Sequence, residues 1–194
     1  MTSPSASKLP LLAGEGLPRF AAITPEQVQQ GIPVLLEQLN SELTALEAQL
    51  ERRLSEAAGG GTPLSWEELM APLHHLGERL RWSWGVVSHL NGVCNTPELR
   101  DAHQSQQAAV VAFGSRAGQS RVLYRALEAL QQQAELDGTQ RRILEAELRD
   151  MQLRGVGLEG AEQEAFNATT TELAKLGSDF GNHVLDATNT WTLS

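Results

Sequence analysis

The amino-acid sequence predicts an all-α protein built from long antiparallel helices and helical hairpins. Leu, Ala, Gln and Glu, which favour helices, are abundant, whereas aromatic residues make up only 5% of the 194 residues. Apolar residues recur at intervals of three and four, the helical period, over stretches of several turns. With 41% hydrophobic residues, the chain is long enough to bury about 70% of its unfolded surface in one main domain.

We divide the chain into three parts. Residues 1–23 are rich in Ser, Pro and Gly, and we expect an irregular arm whose first residues are disordered and whose later part lies against the body. Residues 24–187 form the predicted helical domain. Residues 188–194 begin a connection to further sequence, and the alternating side chains of 188–193 could start a strand.

A first long helix is predicted to begin at Pro25. Thr24 is its N-cap, and Gln27 lies three residues after the cap, where it completes a capping box. Gly31 and Pro33 interrupt the early turns, so we expect a kink there. The apolar positions of this helix form one stripe, which comprises Val28, Ile32, Leu35, Leu36, Leu39, Leu43, Leu46, Leu50 and Leu54.

The second helix follows a flexible linker at 59–61. These three glycines lack the Lys-Ser/Thr pair of a nucleotide-binding loop, and no strand precedes them. Ser65 and Glu68 form a predicted capping box, with Leu64 and Leu69 at the positions of a hydrophobic staple. The apolar stripe then continues through Leu73, Leu76 and Leu80.

A helix–turn–helix corner is predicted over Val86–Ala102. Thr96 and Pro97 provide the N-cap and the first position of the third helix. We expect His89 and Asn91 to hydrogen-bond the turn and to bind no ligand. The apolar face of the corner is predicted to comprise Val86, Val87, Leu90 and Val93.

Four further helices are predicted after the corner. The third runs from Pro97 to about Ala117, and the fourth ends at about Glu135. A turn at 137–139 separates it from the fifth helix, and a break at 155–158 precedes the last, from about Gly160 to Leu185. One side of that last helix carries Phe166, Thr170, Leu173, Leu176, Phe180 and Val184.

Charge and composition exclude several classes of partner. A formal net charge of −9 disfavours nucleic acid, because phosphates would be repelled. No apolar run approaches the roughly 18 residues of a membrane span, and the first ten residues do not resemble a signal peptide. The single cysteine, Cys94, excludes an internal disulfide and is predicted to be a half-buried thiol. We therefore expect a cytoplasmic protein.

The residues themselves provide no convincing catalytic group. The H-E-x-x-H motif of zinc peptidases is absent, and Ser88-His89 lacks the third member of a triad. Asp179, His183 and Asp186 lie at helical spacings that could bring them to one metal ion, although an ordinary ion-paired helix face explains the same pattern. We predict no catalytic, cofactor-binding or metal-binding residue in this chain.

Several segments nevertheless match one enzyme family in order and spacing along nearly the whole chain. They are Leu17-Pro18-Arg19-Phe20 with Ile23-Thr24-Pro25-Glu26, Trp66-Glu67-Glu68-Leu69 with Pro72-Leu73, Val87-Ser88-His89-Leu90-Asn91 with Asn95-Thr96-Pro97-Glu98-Leu99-Arg100, and 173–188 followed by Trp191. This set resembles the N-terminal region of the thimet oligopeptidase and oligopeptidase A family of zinc metallopeptidases. It looks closest to the bacterial oligopeptidase A branch.

The resemblance implies a parent enzyme several times longer than this chain. In that family the zinc helix and its downstream glutamate ligand lie in a C-terminal catalytic part, where zinc activates a water and the motif glutamate acts as general base. The N-terminal helical part forms one wall of a deep channel that admits short peptides. The resemblance therefore implies the N-terminal helical part of a neurolysin-like fold, truncated before the catalytic domain and inactive alone.

The resemblance also predicts a property of the surface of the chain. The face that would meet the missing catalytic domain should be apolar and exposed, and the fragment could form a dimer through it. The alternative is a free-standing helical interaction module with an acidic surface, a partner-binding groove and no enzymatic activity.

Overall fold

The computed structural model describes residues 9–133 and 135–192, and all regular structure within those ranges is helical. Two single-turn 3-10 helices, Pro10–Leu12 and Phe20–Ala22, precede the main body. The α-helices are α1 (Pro25–Ala58), α2 (Trp66–Val93), α3 (Pro97–Gly118), α4 (Arg121–Gln131), α5 (Gly138–Leu153) and α6 (Gly160–Thr190). The predicted all-α fold is confirmed.

Helix α1 is the centre of the core, because α2, α3 and α4 all pack against it. Its predicted stripe is buried from Val28 to Leu50, and Leu54 is partly buried against the same cluster. Charged side chains link the edges of this bundle: Arg53 pairs with Glu68 at 2.8 Å, and Arg116 pairs with Glu47 at 2.8 Å. A continuous apolar core thus lies beneath a rim of ion pairs.

The N-terminal arm lies against this body from Leu9 onward. Leu11 is fully buried, and its carbonyl oxygen accepts a hydrogen bond of 2.8 Å from the Ser83 hydroxyl. A Cβ on Gly31 would lie 3.3 Å from Leu11 Cδ2, so the glycine provides room for the arm. Helix α1 runs unbroken through Gly31 and Pro33. The disorder predicted for the first residues concerns 1–8, which lie outside the described residues.

The capping residues predict the starts of α1 and α2 correctly, but the predicted capping box of α1 is only half formed. Thr24 accepts a hydrogen bond from the Gln27 backbone N–H at 3.4 Å. The reciprocal half of that predicted box is not formed, because Gln27 Oε1 is buried without a donor among the described residues. At α2 both halves are present: Glu68 N–H donates to Ser65 Oγ, and Ser65 N–H donates to the Glu68 carboxylate.

Three predicted segments are corrected by the structure. Helix α4 ends at Gln131, several residues before Glu135. Asp137 is the N-cap of α5 and forms a capping box with Gln140, so helix begins at Gly138 within the predicted turn. The strand proposed for 188–193 is wrong, because α6 continues to Thr190, where threonine hydroxyls bond to backbone carbonyls of the helix.

Glu68 connects helix capping to the α1–α2 interface. Hydrogen bonding from Arg53, followed by the backbone N–H of Ser65, lowers the pKa of the Glu68 carboxyl from 4.5 to about 2. Because the folded-state pKa is the lower one, the stabilisation is present above pH 4.5 and is lost as pH falls through about 2.

A Glu68→Gln variant keeps a capping side chain but loses the ion pair. We expect it to lower the free energy of unfolding at neutral pH by about 1 kcal/mol, since the carboxylate is partly exposed. Urea unfolding at several pH values should show a smaller acid-induced loss of stability than in the wild type. Glu67→Gln, one residue away, serves as the control; an equal effect there would contradict the assignment.

Candidate docking surface

Helix α6 packs against α3 through its polar side. Residues 163, 167, 171, 174, 178 and 182 follow one helical face, and this face lies toward α3. Gln119 at the end of α3 donates 2.9 Å to the Arg154 carbonyl and 2.8 Å to Asn167 Oδ1, and its own oxygen accepts from Gln163. This amide group fixes the start of α6.

A second group of hydrogen bonds holds the middle of α6. Gln107 Nε2 donates 2.9 Å to the Ala174 carbonyl oxygen and 2.7 Å to the Ser178 hydroxyl. The contact is therefore made by a long amide side chain reaching across the two helices, with small residues opposite it. An open groove of about 780 Å³ lies between α3 and α6 on one side of this contact.

The predicted corner holds the far end of α6. Asn95, with a left-handed φ of 29°, donates 2.6 Å to the Asn91 carbonyl and 3.3 Å to Asn182 Oδ1. Arg100 donates to Asn95 Oδ1 and forms two hydrogen bonds, of 3.0 and 2.8 Å, with the Asp186 carboxylate. These hydrogen bonds from Arg100 lower the pKa of the Asp186 carboxyl. The corner thus positions α6.

The apolar side of α6 faces solvent. Leu173, Leu176, Phe180 and Val184, which we call the α6 stripe, are 69%, 55%, 71% and 48% exposed. An apolar face of a helix is normally buried against a neighbour, and contiguous exposed patches mark interaction sites. The helix described here instead buries only Asn182. The α6 stripe is therefore the candidate functional surface of the described residues.

Comparison with known proteins identifies the family. Residues 32–163 match the family model for the neurolysin/thimet oligopeptidase N-terminal domain. The chain belongs to the neurolysin/thimet oligopeptidase family. The matched region extends from the first turns of α1 to the first turn of α6, so it contains most of α1 and all of α2 to α5, and the α6 stripe follows it.

Oligopeptidases from plants and bacteria are similar to this family member. The probable cytosolic oligopeptidase A of Arabidopsis thaliana is 36% identical over 94% of this chain and 25% of its own length. The organellar (chloroplastic/mitochondrial) oligopeptidase A of the same plant is 35% identical over 94% of this chain and 22% of its own. Oligopeptidase A of Escherichia coli is 34% identical over 94% of this chain and 26% of its own. The chain therefore spans about a quarter of the length of these relatives.

The two carboxylates of the candidate metal site Asp179–His183–Asp186 form ordinary ion pairs in this neurolysin-family chain. Asp179 accepts a hydrogen bond of 2.5 Å from Lys175, and Asp186 pairs with Arg100. His183 is exposed on the same helix. Over the described ranges, no three His, Cys, Asp or Glu side chains come together in a way that could hold a metal ion.

Other predicted positions are corrected in detail. Cys94 is exposed rather than half-buried, and Val93 is 65% exposed, because the chain turns away from the core at the end of α2. His89 contacts the ring of Phe20, with ring centroids 5.5 Å apart. Asn91 does bond to the turn, as predicted. Within the described residues, no helix is both long and apolar enough to cross a bilayer.

Sequence reasoning missed the buried histidine of this oligopeptidase-family domain. His103 on α3 is 6% exposed and stacks on Trp84 of α2, with ring centroids 4.6 Å apart and planes 19° apart. Burial lowers the pKa of His103 from 6.5. The sequence signal for its burial is its position next to Ala102, on the side of α3 that packs into the core.

Acidification should therefore weaken the α2–α3 contact. Because the folded-state pKa of His103 lies below 6.5, the stabilisation from the neutral, buried ring is fully present above pH 6.5. It decreases as pH falls through the lower folded-state pKa. We expect a His103→Phe variant, which keeps a stacked ring, to lose stability less steeply below pH 6.5 in urea titrations. His75→Phe replaces an exposed histidine and should keep the wild-type slope; a flattened slope there would argue against His103.

Proposed function

We propose that this chain forms a non-catalytic helical wall of the peptide channel in a zinc metallo-oligopeptidase, an enzyme that hydrolyses short peptides. The observation that carries the proposal is the α6 stripe on a domain of the neurolysin/thimet oligopeptidase family. Relatives named oligopeptidase A support the peptidase activity of the whole protein. A wall of this kind acts by shape: it narrows access so that folded proteins are excluded.

The proposal assigns zinc to a catalytic part outside this chain. The described side chains do not fit a metal ion, since no group of three potential ligands converges among them. When bound in the catalytic part, zinc would supply the activated water for peptide hydrolysis. The residues of this chain would contribute walls and docking contacts only, and short peptides and the catalytic domain are its proposed partners.

Metal and activity assays test whether zinc binding and catalysis lie outside this chain. We expect the purified chain, incubated with zinc and desalted, to retain no stoichiometric metal by elemental analysis. It should also leave a short fluorescence-quenched peptide intact. One tight zinc ion per chain together with peptide hydrolysis would overturn the proposal, and loss of that zinc in a His183→Ala variant would point to the Asp179–His183–Asp186 group.

The reading frame beyond Ser194 distinguishes the proposal from its alternative. A continuous frame that reaches an H-E-x-x-H sequence supports the channel wall. An early stop codon supports the free-standing interaction module, for which the α6 stripe would be the partner site. We also propose a cytoplasmic location, which the name of the probable cytosolic oligopeptidase A of Arabidopsis thaliana supports.

Self-association is the expected behaviour of the chain alone. Four large apolar side chains along one helix offer a surface that a second copy can cover in an antiparallel pair. We therefore propose a dimer through the α6 stripe whenever the catalytic domain is not there to cover it.

A further inference from the structure

A cleft of about 420 Å³ opens between α2 and α5, and we call it the α2–α5 cleft. Helix α4 packs against both of these helices and supplies the floor, where Leu123 and Leu127 are buried. On the α2 wall, Gly77 has no side chain, and a Cβ there would contact nothing within 4 Å. Pockets of this volume commonly hold small molecules. The cleft therefore has room for a ligand the size of a short peptide.

Arg154 provides an unpaired positive charge on the α5 wall of the cleft. Among the described residues, no carboxylate lies within ion-pair distance of its guanidinium. Asp150 could pair with it by helical spacing, but forms its ion pair with Arg149 instead, at 3.7 Å. The Arg154 side chain crosses the end of α3, because a Cβ on Gly118 would lie 2.6 Å from its Cδ. This contact positions the free cation at the cleft.

Glu147 provides the matching negative charge on the same wall. It is half-buried, and no described residue forms a hydrogen bond or ion pair with its carboxylate. The seven positions between Glu147 and Arg154 correspond to about 10 Å along the axis of α5. Three extended peptide residues span about the same length. A free peptide of that size carries an ammonium and a carboxylate at a matching separation.

The opposite wall of the cleft does not favour a single sign of charge. Glu78 and Arg81 on α2 pair with each other at 2.9 Å, and His74 is the other titratable side chain of that wall. Leu73 and Met151 add apolar lining from α2 and α5. A ligand of one charge would leave the opposite charge of α5 unmatched. The lining is thus complementary to a ligand with both charges and an apolar side chain.

We propose that the α2–α5 cleft binds free peptides of two or three residues. Arg154 binds the terminal carboxylate, Glu147 binds the terminal ammonium, and an apolar side chain lies on the α4 floor. Peptide hydrolysis releases peptides of this kind, so in a peptidase the ligands would be products. The two charges are present whether or not the whole protein is a peptidase. This proposal and the proposed function can therefore fail separately.

Nuclear magnetic resonance titration of the isotope-labelled chain with the tripeptide alanyl-leucyl-alanine tests the site. We expect saturable shifts with a dissociation constant of about 1 mM. Acetylating the amine or amidating the carboxyl should each weaken binding about ten-fold, because each removes one charge-assisted contact. No saturation at about ten times that concentration, or equal affinity for capped and free tripeptides, would overturn the proposal.

An Arg154→Met variant keeps the aliphatic stem beside Gly118 and removes the charge. It should weaken binding of the free tripeptide about ten-fold and leave the affinity for the amidated tripeptide unchanged. Arg149→Met is the matched control, because it removes the same charge from α5 outside the lining of the cleft. An equal loss of affinity in the control would show that general charge, rather than the cleft, attracts the peptide.

Filling the open space of the cleft tests the site by shape. Gly77→Leu places a side chain on the α2 wall and should weaken binding at least about ten-fold. Gly85→Leu is the control, since Gly85 also lies on α2 with open space around it but does not line the cleft. It should bind the tripeptide as the wild type does. Unchanged affinity in Gly77→Leu would place the bound peptide elsewhere and overturn the proposal.

Discussion

Replacing Phe180 by aspartate is expected to raise the dissociation constant of the proposed dimer by about 100-fold. Phe180 is 71% exposed at the middle of the α6 stripe, between Leu176 and Val184. A central aromatic residue of this kind typically dominates an interface, and a charge placed there would also be desolvated on pairing. Because the side chain is largely exposed in the monomer, its stability should change by less than about 0.5 kcal/mol.

Sedimentation velocity over a range of protein concentrations measures this effect. Val93→Asp is the matched control, since it introduces the same charge at a side chain that is 65% exposed outside the α6 stripe. The control should dimerise as the wild type does. A wild-type chain that stays monomeric at the highest concentration, or a control that dissociates equally, would show that the stripe does not mediate self-association.

Replacing Leu39 by alanine is expected to lower the free energy of unfolding by about 3 kcal/mol. Leu39 is fully buried on α1, the helix against which α2, α3 and α4 pack. Truncation removes the transfer free energy of the side chain and leaves a cavity that the surrounding helices cannot fill completely. The loss is large compared with the total stability of an ordinary domain.

Chemical denaturation at neutral pH measures this loss. Leu153→Ala makes the same substitution on α5 at a side chain that is 70% exposed, and should change the free energy of unfolding by less than about 0.5 kcal/mol. Equal effects at the two positions would show that α1 is not the centre of the core.

Features determined by neighbouring residues could be predicted from the sequence. Thr24, Ser65 and Thr96 each accept a hydrogen bond from the backbone N–H three residues later, and local residue types predict all three as N-caps. The buried stripe of α1 follows from helical spacing alone. Such signals need no knowledge of which helix lies opposite.

Features that depend on partners could not be predicted in the same way. The spacing of Phe166, Leu173 and Phe180 identifies an apolar side of α6, but not whether this chain supplies a neighbour for it. The polar contacts of Gln107 and Gln119 with α6 join residues about 50 to 70 positions apart. Any of the chain's many glutamines could have made them. Resemblance to a family supplied the expectation of an exposed apolar face toward a catalytic domain, and the structure shows that apolar side chains of α6 are exposed.

The length of α6 gives small movements at its start a large effect at its end. Its 31 residues extend for about 46 Å at 1.5 Å per residue. A rotation of about 10° at residue 160 would displace Thr190 by about 8 Å, more than the width of an extended peptide. Held along one side by amide side chains, this helix would act as a lever, because a change in a few backbone angles near its start would become a displacement of several ångströms at its end.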